Sequence, residues 1–323
     1  MLQSLRHPSK SMVPLTILFF SSSPISLPLL SVLLKDSRFK VQGLFCQPDK
    51  PAGRGQELTA PETKALAERA GVPVYQTPKL RDDKELLMRL QKEAPDFLLT
   101  FAYGQILSED WLALPRLAPL NVHASLLPRY RGAAPIQAAL LDGQKETGLS
   151  LMKMEKEMDA GPVAFQHVFP VLEDMTSEDL FDGLATLASQ VIPDDLVALS
   201  ENLNFEAQDA TQATFTQKIK KEDGYVDFNC SAESLLRRFR AYTPWPGLWT
   251  THKGERLKLL SLELTSTSSL KPGEVVYKDF DFFVGTLDFD VRLPLLQLEG
   301  KKVLKSQEFI LGCPEWASTS LPS

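Results

Sequence analysis

The run Asn121-Val-His-Ala-Ser-Leu-Leu-Pro-Arg-Tyr-Arg-Gly132 follows the apolar Leu120 and reads as the end of a short strand entering a proline-bearing turn. On an extended backbone successive side chains alternate faces, so Asn121 and His123 project together from the strand's end. An amide donates a fixed hydrogen bond, while an imidazole donates, accepts or carries a proton near neutral pH. Together they suit an acyl group that develops oxyanion charge. Taken alone, an Asn-x-His pair on a strand reads more simply as a satisfied polar pair, so the surrounding chain decides between the two.

Outward from that strand, apolar runs at Leu15–Phe20, Val41–Cys46, Phe97–Phe101 and Leu120–His123 alternate with helix-like segments at Ile25–Lys35, Pro61–Ala70, Asp82–Glu93 and Ala133–Asp142. The alternation predicts parallel strands with helical crossovers, hence an α/β, Rossmann-like, mostly parallel sheet. Pro61 suits a first helical turn and Gly71 stops that helix. In such open sheets ligands collect beyond the carboxyl ends of the strands, where Asn121 and His123 stand. Leu149–Met154 and Val163–Val171 read as further strands, and Thr176–Ser200 as a helix interrupted at Pro193. The polar stretch Glu201–Gly224 reads as an exposed linker. Beyond it, strand-like pieces separated by Lys253-Gly254, Lys271-Pro-Gly273 and Glu299-Gly300, with a helix near Ala232–Ala241, predict a small barrel.

A chain of 323 residues is long enough for two domains with a substantial core. The three cysteines, Cys46, Cys230 and Cys313, are widely spaced and odd in number, against both a disulfide framework and a cysteine metal site; a reducing compartment fits. The four histidines, His7, His123, His167 and His252, show no ligand spacing, so no metal is expected. Near the amino terminus, Arg6 and Lys10 precede an uncharged run from Ser11 to Leu34 that imitates a signal peptide or membrane span. Pro14, Pro24 and Pro28, with Ser21-Ser-Ser23, break it into a strand, a turn and a helix, so no membrane association is expected. Residues 1–11 read as an N-terminal extension, with Met12 a natural first residue.

The net charge of −6 is unusual for a chain that would hold nucleic acid, since phosphate contacts call for a basic surface. Local basic clusters do occur: Lys50 with Arg54, Arg129 with Arg131, Lys218-Ile-Lys-Lys221 and Arg237-Arg-Phe-Arg240. For the last cluster, a phosphate contact and an ordinary solvated helix face stand as equal readings.

The central segment continues through Arg131-Gly-Ala-Ala-Pro-Ile136 and is followed by Met158-Asp-Ala-Gly161. Asn121, His123, the run Ser125–Pro128, Arg129-Tyr-Arg-Gly-Ala-Ala-Pro135 and Asp159 resemble the signature of formyltransferases that use 10-formyltetrahydrofolate. Gln47-Pro-Asp-Lys-Pro-Ala-Gly-Arg-Gly55 resembles the insertion loop of the methionyl-tRNA branch of that family. Tyr225-Val-Asp-Phe228, Ser231-Ala-Glu-Ser234 and Arg240-Ala-Tyr-Thr-Pro-Trp-Pro-Gly247 resemble the start of that branch's C-terminal domain. The resemblance runs from about Val13 to Ile310.

It implies a Rossmann-like formyltransferase domain over residues 12–200, a linker over 201–224 and an OB-fold-like, tRNA-binding barrel over 225–315. It further implies transfer of a formyl group from 10-formyltetrahydrofolate to the α-amine of methionyl initiator tRNA, for translation initiation. In that reading Asn121 and the His123 imidazolium donate to the developing oxyanion, while Asp159 favours the protonated imidazole and orders a proton-relaying water. Ser125, Leu126, Leu127 and Pro128 would hold the folate, with Phe101–Ile106 as another wall. Lys50 and Arg54 would meet the tRNA acceptor end. The alternatives are formyl transfer to an amino sugar or formyl-folate hydrolysis, against which stand the Gln47–Gly55 loop and the barrel. A noncatalytic RNA-binding homologue is the alternative of another class, against which stands the complete Asn121, His123 and Asp159 set. A monomer in a bacterial-type cytoplasm is expected, with the mitochondrial matrix as the other compartment. One departure from the family pattern stands out: Ser21 occupies the usual glycine position after the first strand, where a positive φ would strain it.

Overall fold

The computed structural model describes residues 13–52 and 57–323. The 1–11 extension, Met12 and Arg54 lie outside the described residues. In chain order the first elements are β1 (Leu15–Phe20), α1 (Leu27–Lys35), β2 (Phe39–Phe45), β3 (Lys50–Ala52), β4 (Glu57–Thr59), α2 (Glu62–Arg69), β5 (Val74–Tyr75), α3 (Lys84–Gln91) and β6 (Phe97–Thr100). They continue with α4 (Glu109–Leu112), β7 (Ala118–His123), β8 (Arg131–Gly132), α5 (Pro135–Leu141), β9 (Glu146–Lys153), β10 (Val163–Pro170) and α6 (Ser177–Glu201).

Seven strands form one sheet in the order β10-β9-β7-β6-β1-β2-β5. β5, β2, β1, β6 and β7 pair in parallel, and β9 runs antiparallel beside β7. β1 and β6 lie at its centre and are covered on both faces, which is why they read as unbroken apolar runs: Ile17–Phe20 and Phe97–Leu99 are fully buried. The β7–β9 register sets Asn121 opposite Met152 and His123 opposite Ser150 at the sheet's carboxyl edge. The expected Rossmann-like, mostly parallel sheet is thus the observed one.

Three expectations change. α6 is one helix of 25 residues with Pro193 inside it. Proline removes a single backbone bond there, whereas Ala188, Ile192, Leu196 and Leu199 continue one buried face across it. Ser21 is not among the residues with positive φ, so serine meets no strain at this turn. It is fully buried; its Oγ accepts from Ser26 Oγ at 2.6 Å and from Ser23 N at 3.3 Å, while its N–H donates to Phe45 O at 2.9 Å. Finally, Glu201–Gly224 is largely exposed but is not a free tether, because Gln208 and Thr214 are hydrogen-bonded to residues of the β7 turn and the 159–161 turn.

The chain divides into two compact units. The first comprises Met1–Arg131, Gly148–Phe169 and Asp182–Thr214. Inside it, His167 Nε2 lies 2.8 Å from Asp195 Oδ2, and burial pushes the Asp195 carboxyl above its usual range despite the opposing hydrogen bond from His167. Removing the imidazole leaves a buried carboxylate without its partner. His167→Ala should therefore cost about 2 kcal/mol at neutral pH, below the value for a fully buried pair because His167 is partly exposed. Burial holds the folded carboxyl's pKa above the unfolded one, so this deficit is full above the folded pKa and shrinks as pH falls through it. Urea titrations of both proteins at neutral and mildly acidic pH read the difference directly.

The second unit comprises Gly132–Thr147, Pro170–Phe181 and Phe215–Ser323. It holds α5, β11 (Phe215–Thr216), α7 (Ala232–Tyr242) and the strands β12 (Leu248–His252), β13 (Glu255–Leu259), β14 (Glu263–Leu264), β15 (Val275–Lys278), β16 (Asp281–Gly285), β17 (Asp290–Leu293), β18 (Leu295–Leu298) and β19 (Leu304–Lys305), closed by α8 (Ser306–Gly312). Its strands are antiparallel and form the sheets β12-β13-β18-β19 and β14-β17-β16-β15. Lys253 and Gly254 both have positive φ, which lets a two-residue turn join β12 to β13 with the twist the strands need.

The arginines of α7 make internal contacts. Arg237 pairs with Glu233 one turn back, Arg238 Nη2 donates to Tyr225 O at 2.6 Å, and Arg240 donates to the backbone of Glu173. All three are half-buried, so this is not the plain solvated face that was one of the two readings. Among the described residues no helix is long and apolar enough to cross a membrane.

Candidate active site

Asn121 and His123 leave the same side of β7, two residues apart, and meet the turn that carries Asp159. Asn121 Nδ2 donates to Asp159 Oδ1 at 3.3 Å, and His123 Nδ1 lies 3.7 Å from Asp159 Oδ2. The three residues singled out in the sequence are therefore one cluster. The His123 side chain is 6% exposed and that of Asp159 13%, so water is largely displaced around the pair.

The other imidazole nitrogen settles the tautomer. His123 Nε2 lies 2.9 Å from the Tyr130 carbonyl, which only accepts, so Nε2 carries a proton. Nδ1 is then the nitrogen turned to the carboxylate. With one proton on the ring, Nδ1 would present a lone pair to Asp159; a second proton converts that approach into an attractive charged pair.

Asp159 has φ of 53°, in the left-handed region that aspartate tolerates better than most side chains. Its turn is held from outside. Gln208 Nε2 donates to Asp159 O at 2.8 Å and to Gly161 O at 2.7 Å, while Gln208 Oε1 accepts from Arg131 Nε at 3.0 Å and Arg131 Nη2 at 2.8 Å. Arg131 N in turn donates to Thr214 O at 2.8 Å, and Tyr130 N to Thr214 Oγ1 at 2.8 Å.

Ser125–Pro128 forms a tight turn whose polar groups bond within the fold. Ser125 Oγ donates to Arg129 O at 2.6 Å; Ser150 Oγ donates to Ser125 O at 2.7 Å and accepts from Leu127 N at 3.0 Å. Gln166 Nε2 completes the set by donating to Leu127 O at 2.8 Å and Ser150 Oγ at 3.0 Å. Ser125 and Leu127 are buried, Leu126 and Pro128 half-buried. The Ser125 hydroxyl thus shapes the turn. Tyr103, from the other expected wall, is 2% exposed and packs edge-on against Phe20, and burial pushes its hydroxyl pKa up. Lys50 is exposed at the base of the β3–β4 hairpin, its Nζ bonded to Gln47 Oε1, and stands apart from the Asp159 cluster's described contacts. Among the described residues no group of three or more His, Cys, Asp or Glu could hold a metal.

Sequence reading passed over Gln208, Arg131 as its partner, Ser150 and Gln166. Gln208 carries no local signal, lying in a polar stretch without periodicity. Gln166 and Ser150 sit on strands whose alternation announces a face but not a partner.

Residues 16–196 match the family model "Formyl transferase", and residues 218–314 match "Formyl transferase, C-terminal domain". The methionyl-tRNA formyltransferase of Geobacter metallireducens is 36% identical over 304 residues, covering 94% of this chain and 97% of that protein. Among solved structures, a sugar 3N-formyl transferase in the presence of dTDP and 5-N-formyl-THF superimposes with a TM-score of 0.63 at 16% identity, covering 89% of this chain and 99% of that one. The methionyl-tRNA formyltransferase of Clostridium thermocellum gives a TM-score of 0.56 at 13% identity, covering 90% and 99%. At these identities the two structures speak for the fold alone. The sequence match, nearly full-length on both sides, shows that this chain belongs to the methionyl-tRNA formyltransferase family.

Proposed function

We propose that this chain transfers the formyl group of 10-formyltetrahydrofolate to the α-amine of methionyl initiator tRNA, with Asn121, His123 and Asp159 as its catalytic residues. The observation that carries the chemistry is the convergence of the Asn121 amide and the His123 Nδ1 edge on one Asp159 carboxylate beyond the sheet's carboxyl end. The donor set fits a formyl oxygen: an amide N–H and an imidazolium N–H share a pocket with a carboxylate that can take part in proton movement. When bound, 10-formyltetrahydrofolate would supply the formyl carbon, and the proton taken from the attacking amine would pass to the folate nitrogen as its bond to that carbon breaks. Because Nε2 is committed to Tyr130 O, the proton His123 offers to the oxygen is the one on Nδ1. Asp159, beside that nitrogen, stabilises the imidazolium and accepts the proton of the attacking amine through an ordered water. The Ser125–Pro128 turn is assigned to the folate, and Lys50 and Arg54 are assigned to the acceptor end of the tRNA. No metal enters this scheme.

The test is label transfer from 10-formyltetrahydrofolate to methionyl initiator tRNA, methionyl elongator tRNA and free amino sugars, in parallel. Initiator-selective transfer is expected. Transfer to the sugars instead would move the chain to the other branch of the family, and binding of both substrates without transfer would leave it an RNA-binding homologue.

A further inference from the structure

We infer that Gln208, with Arg131 behind it, is a positioning residue for the reaction: it fixes the turn that holds Asp159 against His123. The inference rests on the role proposed above for Asp159. Both ends of the Gln208 amide are committed and their assignment is forced. Arg131 only donates, so the end facing it is Oε1; the carbonyls of Asp159 and Gly161 only accept, so the end facing them is Nε2.

One side chain therefore ties three separate stretches together: the turn after β7, the turn 159–161 and the segment after α6. Arg131 is 5% exposed, so its fork approaches Gln208 from inside the protein, and its own N–H is bonded to Thr214 O. One of the two carbonyls is Asp159's own and the other lies two residues further on at Gly161, and Asp159 itself sits at a φ of 53°. A backbone held away from its commonest basin needs external contacts to keep one orientation. Gln208 supplies two of them. Rotation of this turn would carry the Asp159 carboxylate away from Nδ1 of His123 and Nδ2 of Asn121 together, since both approaches converge on it. Misplacement by about 1 Å, caused by a group that never touches substrate, can cost on the order of 100-fold in rate.

Gln208→Glu is the informative variant. The carboxylate keeps, and strengthens, the contact to Arg131, but it has no N–H for the carbonyls of Asp159 and Gly161 and places charge beside them. The variant should therefore fold, with a melting temperature and a folate affinity close to those of the original chain. Its single-turnover transfer rate should fall by about 10- to 100-fold, with a changed pH profile. Added to Asp159→Asn, the substitution should have little further effect, because the group it positions is already gone. Amide exchange of the peptide covering residues 157–163 should be faster than in the original chain. An unchanged rate and unchanged exchange would overturn the inference, as would an equal loss in the Asp159→Asn background. If the original chain itself transfers no formyl group, the reading of the function fails. The exchange contrast then decides whether Gln208 holds the turn.

Discussion

Asn121→Ala should lower the single-turnover rate of formyl transfer by about 100- to 1000-fold, the loss typical when one fixed donor to a developing oxyanion is removed. The expected size follows from the site's economy of donors. His123 has Nε2 tied to Tyr130 O, so that Nδ1 and the Asn121 amide are the groups that converge on Asp159. Alanine keeps the backbone of β7, whose pairing with β6 and β9 does not involve the side chain, so the strand should hold its register. Folate binding measured by fluorescence titration should stay within a few-fold while the chemical step collapses. A rate within threefold of the original would remove Asn121 from the catalytic set.

Asp159→Asn should cost about 100- to 10,000-fold, the range for loss of a positioned general acid or base. Asparagine is nearly isosteric and tolerates left-handed φ as aspartate does, so the turn at 53° survives and the effect isolates the charge. Two consequences follow at once. The amide can no longer take a proton from the amine through water, and it sets no charge opposite Nδ1 of His123, 3.7 Å away. Asp159→Ala should lose activity comparably and also lower the melting temperature, since alanine accepts the left-handed conformation less readily. A variant that kept its full rate at every pH would leave Asp159 as a turn residue only.

How much could be read in advance depends on whether a contact is local. β1 and β6 were legible because burial on both faces writes itself as an uninterrupted apolar run, and β7 because alternation put Asn121 and His123 on one side. Pro193 misled because a rule about single backbone bonds was set against a buried face that continues on both sides of it. Ser21 misled for a related reason: its hydroxyl finds partners in Ser23 and Ser26, a local network that a glycine comparison does not reveal. Asp159 was legible only through resemblance, since Met-Asp-Ala-Gly is otherwise an ordinary turn signal. Gln208 was illegible in principle. Its partners are 77 residues away at Arg131 and 49 at Asp159, and nothing in a polar stretch says which amide will be claimed by the core.

The commitment of Gln208 and Thr214 also bears on modularity. A designer exchanging C-terminal domains between members of this family would be drawn to cut at the end of α6, where composition turns polar. The hydrogen bonds place the seam later, after Thr214, because the first unit includes Asp182–Thr214. A chimera joined at Glu201 inherits its neighbour's version of the residues that brace the Asp159 turn, and one joined beyond Thr214 carries its own. What looks like a spacer thus belongs to the first unit, and recombination within it exchanges the residues that brace the Asp159 turn.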